Sequence, residues 1–256
     1  MSPSTRPTPT TFPDLLTTAL RADPARPLVT FYDDATGERI ELSVTTYANW
    51  VAKTAALVHD QLDVEPGGVV LLDLPTHWLG AVWLGASWTA GLVVTTDPAS
   101  VDRTELVVCG PAGVATYAAG AAERPVVALS LRPLGARFAD PLPDDVVDYG
   151  AEVLSQPDVF VPVSPPTGDD PAWQEAGRTL SQRQLVERAA AGHLVDPDGR
   201  LLTDVNPCTP DGVDTLLSPL LRGGGTVWVA HPDASGWQRR YDEERASAQL
   251  RSAASS

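Results

Sequence analysis

Lysine is almost missing from this 256-residue chain: Lys53 is the only one, and arginine carries the rest of the positive charge. Chemistry that needs two lysines is thereby excluded. Positive charge is scarce altogether, with 18 Lys and Arg against 33 Asp and Glu and a formal net charge of −15. That balance excludes a nucleic-acid partner, because phosphate neutralisation needs clustered basic residues, and the acid surplus reads first as a solvated surface. Cysteine is limited to Cys109 and Cys208 without CxxC spacing, so reduced thiols in a cytoplasmic protein are expected, not a disulfide or a metal site. His59, His77, His193 and His231 stand apart from one another and from carboxylates at ligating intervals. Surface or capping roles are expected of them, and no metal. Residues 1–11 contain no apolar stretch of the kind that marks a secretory signal, and they read as a disordered tail. Residues 74–96 carry no charge, which raises the question of a membrane span. Gly91 and the β-branched run behind it stop that helix after about 14 residues or ~21 Å, so a buried helix and strand are expected and no membrane partner.

What is present is organised around Val64 to Pro98. Val69 to Leu72 is a short apolar strand entered through the turn at Pro66, Gly67 and Gly68. Thr76 is placed to cap a helix from about His77 to Ala90, which Gly91 ends before a second strand, Leu92 to Thr95. This is a β-α-β unit, whose natural setting is a parallel sheet. It lacks the glycine cluster of an ordinary nucleotide fingerprint. Trp78, Trp83 and Trp88 recur every five residues, which spreads them around the helix and predicts cover on most sides. Gly85-Ala86-Ser87-Trp88-Thr89 misses the last glycine of a nucleophile elbow, and Ser87 falls in mid-helix, so it reads as a packing serine.

Upstream, the pattern predicts a helix over Phe12 to Ala22, a hairpin of Leu28 to Tyr32 and Arg39 to Leu42, and a helix capped by Ser43 or Thr45. That helix has Tyr47, Trp50, Val51, Ala55, Val58 and Leu62 on its apolar stripe, with Lys53 on the wet face. Downstream it predicts strands at Glu105 to Val108 and Pro125 to Ser130 around a helix from Pro111 to Ala122, then a short helix over Val146 to Leu154. Residues 156–177, with five prolines, read as a long loop. A helix capped by Ser181 and running to His193, a strand from Arg200 to Val205, a helix from Asp211 to Leu221 interrupted or ended near Pro219, a strong strand from Thr226 to Ala230 and a surface helix from Trp237 to Leu250 complete the reading. The fold class is α/β, a largely parallel sheet flanked by helices, in one domain over residues 12–250 with disordered tails at 1–11 and 251–256.

These landmarks resemble the N-terminal part of the adenylate-forming, AMP-binding superfamily of acyl-CoA synthetases and nonribosomal adenylation domains. The residues that carry the likeness are Thr45-Thr46-Tyr47 at a helix start, Val64-Glu65-Pro66-Gly67-Gly68-Val69-Val70 at a strand entry, and Leu84-Gly85-Ala86 through Ala90-Gly91 to Asp97-Pro98. A second block runs from Leu180-Ser181 to Leu185 and resumes at Ser218-Pro219-Leu220-Leu221-Arg222-Gly223-Gly224-Gly225-Thr226-Val227. The resemblance implies a fold like the first αβ subdomain of that domain, truncated, and an ancestry in ATP-dependent activation of carboxylates.

Where the family holds ATP phosphates in a Ser/Thr/Gly-rich loop ending in Pro-Lys-Gly, this sequence offers Val163 to Pro171. Ser164, Thr167 and Gly168 are the residues there that could still hold a phosphate. Pro165, Pro166 and Pro171 donate no N–H, and Asp169 and Asp170 would each repel a close phosphate charge by ~4 kcal/mol at a surface-like dielectric. Around Asn206-Pro207-Cys208-Thr209 the family's aromatic-His pair is replaced. No counterpart of its adenine-binding motif, ribose-binding motif or C-terminal lid lysine is present. No catalytic residue is assigned, and the cofactor is left open, with these departures arguing against ATP or AMP. Two functions follow: an inactive pseudoenzyme that binds a small molecule or a protein partner, or a carboxylate-activating enzyme completed by another chain. An exposed apolar patch, marking a homo-oligomer or partner surface, is expected where a second subdomain would pack.

Overall fold

The computed structural model describes residues 8–175 and 177–252, so most of both expected tails, residues 1–7 and 253–256, lies outside the described residues. Helix α1 (Phe12–Ala22) carries Pro13 in its first turn and is capped by the Thr11 side chain, which accepts from the Asp14 N–H. A hairpin of β1 (Pro27–Asp33) and β2 (Glu38–Ser43) leads into α2 (Val44–Ala56), capped by the Ser43 hydroxyl and continued by a wide turn over Leu57–Gln61. The central unit is β3 (Val69–Asp73), α3 (Trp78–Thr89) and β4 (Val93–Thr95). Next come β5 (Leu106–Cys109), α4 (Val114–Tyr117), β6 (Val126–Ala128), β7 (Val146–Asp148) and α5 (Tyr149–Glu152). A second hairpin, β8 (Pro171–Glu175) and β9 (Arg178–Ser181), leads into α6 (Gln182–Ala191). The last elements are β10 (Arg200–Thr203), α7 (Asp214–Leu221), β11 (Gly225–Ala230), α8 (Trp237–Glu243) and β12 (Ala248–Leu250).

The expected α/β, largely parallel class holds, with the strands shared between two sheets. One runs β12-β10-β11-β1-β2 and the other β7-β6-β5-β3-β4-β8-β9. In each, the edge hairpin supplies the antiparallel pair, β1 with β2 and β8 with β9. Alternation along the strands separates two faces. Val70 and Leu72 of β3 and Trp228 of β11 join a shared core with α1, α2, α3 and α7. Leu71 and Val107 belong to a second cluster on the seven-stranded sheet, and Val227 and Val229 to a third on the five-stranded one. Helices therefore fill the layer between the sheets. Helix α3 sits at its centre with every residue from Trp78 to Trp88 buried, as a helix apolar on all sides must be. The closeness is set by Gly85, where a Cβ would stand 2.8 Å from Phe12 Cζ and 2.9 Å from Val51 Cγ2, with the Tyr47 hydroxyl closer still.

Several sequence expectations need correction. His77, not Thr76, caps α3: its Nδ1 accepts from the Leu79 N–H at 3.2 Å. The helix expected over Pro111 to Ala122 keeps only the four helical residues of α4, between tighter turns. Val146 to Asp148 is a strand because its β-branched pair lies in register with Val126 and Val127 of β6. The Pro-rich loop ends at 170, because the run from Pro171 to Glu175 finds a parallel partner in β4 and an antiparallel one in β9, with its proline at the permitted first position. The last surface helix stops at Glu243, after which Ala248–Leu250 adds a strand beside β10. Lys53 is not an ordinary wet-face lysine: its Nζ donates to the Gln156 carbonyl and lies 3.1 Å from Asp158 Oδ1, fastening the Pro-rich segment to α2. No helix among the described residues is long and apolar enough to cross a membrane.

Candidate functional site

The candidate phosphate residues lie before β8, at the amino end of that strand. Ser164 is exposed, Thr167 is exposed and Gly168 is buried. The segment is held by its own chain. Asp170 Oδ2 accepts from the Thr167 N–H at 2.7 Å, the Gly168 carbonyl accepts from Arg183 N–H, and the Asp170 carbonyl accepts from Gln182 N–H, both at 2.9 Å. Asp169 Oδ1 accepts from the Arg183 guanidinium at 3.3 Å. The backbone donors that open α6, which an anion would use, are therefore already engaged. At the other end of β8, residues 176 and 177 alone connect it to β9, with Gly177 at φ +77°.

In open parallel sheets, ligands bind beyond the carboxyl ends of the strands. There the structure has a cleft of about 370 Å³ between the two sheets. Asp33 at the end of β1, Pro75, Thr76 and His77 after β3, Asp204 after β10 and His231 after β11 line it, with Phe31, Leu131, Val229 and Pro232 as apolar wall. Thr76, Asp204 and Ser252 are shared with a neighbouring hollow of about 610 Å³ that reaches Asn206 and Thr209.

His77 is 4% exposed and its ring packs 4.7 Å from Phe31 and 5.6 Å from Trp78, centroid to centroid. Burial pushes its pKa down to about 3, with Asp33 opposing the shift, so the imidazole is neutral at pH 7. Since Nδ1 accepts from Leu79, the hydrogen of the neutral ring is on Nε2, and that atom is buried without a partner. The Asp33 carboxylate is held below its ordinary range despite partial burial, by His231, whose Nδ1 lies 2.8 Å from Oδ1, and by the Ala35 N–H. Asp204 has both oxygens engaged, by Arg251 Nε at 2.9 Å and Ser252 N–H at 2.6 Å. The carboxylates serve the fold, and the imidazole keeps one N–H without a partner.

His77 has the capping role expected of it and His231 is exposed, and the structure brings both to this cleft. The signal that marks His77 is its place just beyond the end of a buried parallel strand. Cys109 and Cys208 are both buried, free thiols pushed up to about 12 by burial, which keeps them protonated and unreactive. Among the described residues no group of three or more His, Cys, Asp or Glu is placed to hold a metal ion. The large hydrophobics most exposed in the Pro-rich segment are Val159, Val161 and Val163 at 72, 78 and 90%. They alternate with the half-buried Phe160 and Pro162.

No family model matches the chain. Over 244 residues it is 40% identical to a TIGR03089 family protein of Mycobacterium tuberculosis strain H37Rv, spanning 93% of this chain and 97% of that protein. Among solved structures it is similar to an acyl-CoA synthetase from Brucella canis, with a TM-score of 0.76 at 15% identity, over 93% of this chain and 47% of that one. It is similar also to coronafacic acid ligase from Pectobacterium brasiliense, with a TM-score of 0.75 at 10% identity, over 94% and 50%. The N-terminal domain of FACL13 from Mycobacterium tuberculosis gives 0.70 at 16%, over 92% and 61%. The chain thus spans about half the length of the solved synthetase and ligase, and at these identities the likeness is one of fold.

Proposed function

This chain belongs to the TIGR03089 family, and from that premise we propose that it is a small-ligand-binding module on an adenylate-forming framework and not itself an adenylating enzyme. The observation that supports this most is the engagement of the donors around 163–170: Thr167, Gln182 and Arg183 N–H groups all serve acceptors within the chain. A triphosphate there would have to displace those bonds and approach Asp169 and Asp170. The cleft at the carboxyl ends of the strands is the ligand site in this reading. Purified chain, given ATP, magnesium and a panel of carboxylic acids, is expected to show no carboxylate-dependent exchange of labelled pyrophosphate into ATP. Exchange above a boiled-protein control overturns the reading.

A second reading, a carboxylate-activating enzyme completed by another chain, draws on the half-length coverage of the solved synthetase and ligase. Calorimetric titration with ATP, alone and with candidate partner chains, tests it, and heat in a combination that the chain alone lacks would favour it. For protein partners, the valine row of Val159, Val161 and Val163 is the contact face we assign. Val161→Glu is expected to abolish any self-association seen by sedimentation, and unchanged association would remove that assignment.

A further inference from the structure

Of the buried side-chain atoms left without a partner among the described residues, His77 Nε2 is the one that belongs to a residue lining a cleft. An unpartnered buried donor is costly, and a ligand acceptor placed against it recovers that cost on binding. The same cleft bears the carboxylate of Asp33, ionised at neutral pH, and that of Asp204. A carboxylate ligand would bring its negative charge up to Asp33, whereas Asp204 is already paired with Arg251. An ammonium ligand would meet the carboxylates but, being a donor only, would leave the His77 N–H unpaired. Phe31, Pro75, Leu131, Val229 and Pro232 supply apolar surface for the remainder of a small molecule.

We propose that this cleft selects an uncharged ligand that joins an apolar body to a hydrogen-bond acceptor of the amide or ester carbonyl class, with His77 as the donor, and discriminates against the corresponding free carboxylate. The proposal rests on the reading of the cleft as the ligand site. It departs from carboxylate activation, where the acid itself must be bound.

The test uses the full chain and three probes that share one ring: cyclohexanecarboxamide, cyclohexanecarboxylate and cyclohexylammonium. Binding is followed by nitrogen-15 resonances of the histidine side chains. Carboxamide is expected to shift His77 Nε2 saturably, with the other two at least tenfold weaker. The preference for carboxamide over carboxylate should fall at least threefold in Asp33→Asn, which removes a wall charge without removing the donor. His77→Phe, which keeps the aromatic packing, should lose carboxamide binding at least tenfold. If it fails to fold, the Asp33→Asn ratio and the His77 resonance decide. Carboxylate or ammonium binding as tightly as carboxamide overturns the proposal. So does saturable carboxamide binding that leaves His77 Nε2 unmoved, an unchanged ratio in Asp33→Asn, or no saturable binding by any probe. Pyrophosphate exchange decides the parent reading separately, so absence of exchange with failure here removes the ligand class alone.

Discussion

The molecule contains one local structure twice. Hairpin β1-β2 with α2, and hairpin β8-β9 with α6, are built in the same way. Pro27 faces Ser43 and Pro171 faces Ser181, each followed by a register shift before Val29 meets Leu42 and Trp173 meets Leu180. Ser43 and Ser181 then cap their helices through the N–H three residues on, at 3.1 and 3.3 Å. The first two helical N–H groups are taken by carbonyls of the loop that precedes the hairpin: Arg26 and Pro24 for α2, Asp170 and Gly168 for α6. The copies part at the carboxyl ends of β1 and β8. Beyond β1 the chain runs through residues 34–37 and lines the cleft with Asp33 and Phe31, whereas beyond β8 two residues return it as β9. Residues 167–170 thus do in the second copy what residues 23–26 do in the first, closing a hairpin onto a helix. The cleft lies with the first copy.

Detaching the second copy from the core should have the largest effect. Trp88 Nε1 donates to the Ala172 carbonyl of β8 at 2.9 Å, and the Trp88 carbonyl accepts from Gln182 Nε2 at 3.0 Å. Trp88→Ala removes a fully buried indole and orphans the Ala172 carbonyl, so a loss of about 3–5 kcal/mol is expected in urea unfolding. A loss below about 1 kcal/mol would mean that α3 does not hold the second copy in place.

Acid should strike the cleft next. His77 titrates near 3 in the folded chain against 6.5 in the ordinary state, so the unfolded chain binds the extra proton first. Its contribution is complete above pH 6.5 and is lost as pH falls towards 3, by at most about 1.4 kcal/mol per pH unit. Asp33 and Glu244, both held below their ordinary values, also lose stability in acid, so the quantity to measure is the difference between wild type and His77→Phe. Parallel stability curves for the two between pH 6.5 and 4 would count against a buried neutral imidazole. Equivalence of the copies is sharpened by their caps: Ser43→Ala and Ser181→Ala should each cost about 1 kcal/mol. Ser181→Ala should cost slightly less, since the Gln184 side chain still accepts from the residue 181 N–H at 3.0 Å, whereas Ser43→Ala also loses the contact of its hydroxyl with Thr46 Oγ1.

The framework is legible in the residues because its signals are local. Pro13, Ser43, Gly91 and Ser181 punctuate helices whose apolar periodicity is strong, and Val69 to Leu72 and Thr226 to Ala230 are apolar enough to be buried strands under any reading. Short strands were not legible, because Val146–Asp148, Pro171–Glu175 and Ala248–Leu250 gain their state from neighbours distant in sequence. The duplication left little trace beyond Leu-Ser at each helix start, since β1 and β8 differ in length and composition. The cleft was hidden for a related reason: its lining comes from separated stretches of the chain, and His77 acquires its orphaned donor only when Phe31 and Trp78 close over it.

The smallest effect is expected where the sequence alone would place the largest. Asp169→Asn with Asp170→Asn removes both charges that oppose a phosphate near Gly168. If 163–170 were a phosphate loop disabled by charge, the double variant would gain measurable affinity for magnesium-ATP. The geometry argues otherwise: Pro165, Pro166 and Pro171 still donate nothing, and the Gln182 and Arg183 N–H groups still serve backbone carbonyls, which the substitution leaves in place. The amide that replaces the Asp170 carboxylate keeps an oxygen able to accept from the Thr167 N–H. The lost Asp169–Arg183 pair is exposed at 87 and 42%, so stability should change by less than about 1 kcal/mol. Calorimetric titration should stay silent with ATP before and after the change. A heat of binding gained by the double variant would return residues 163–170 to the role of a nucleotide loop and dissolve their equivalence with residues 23–26.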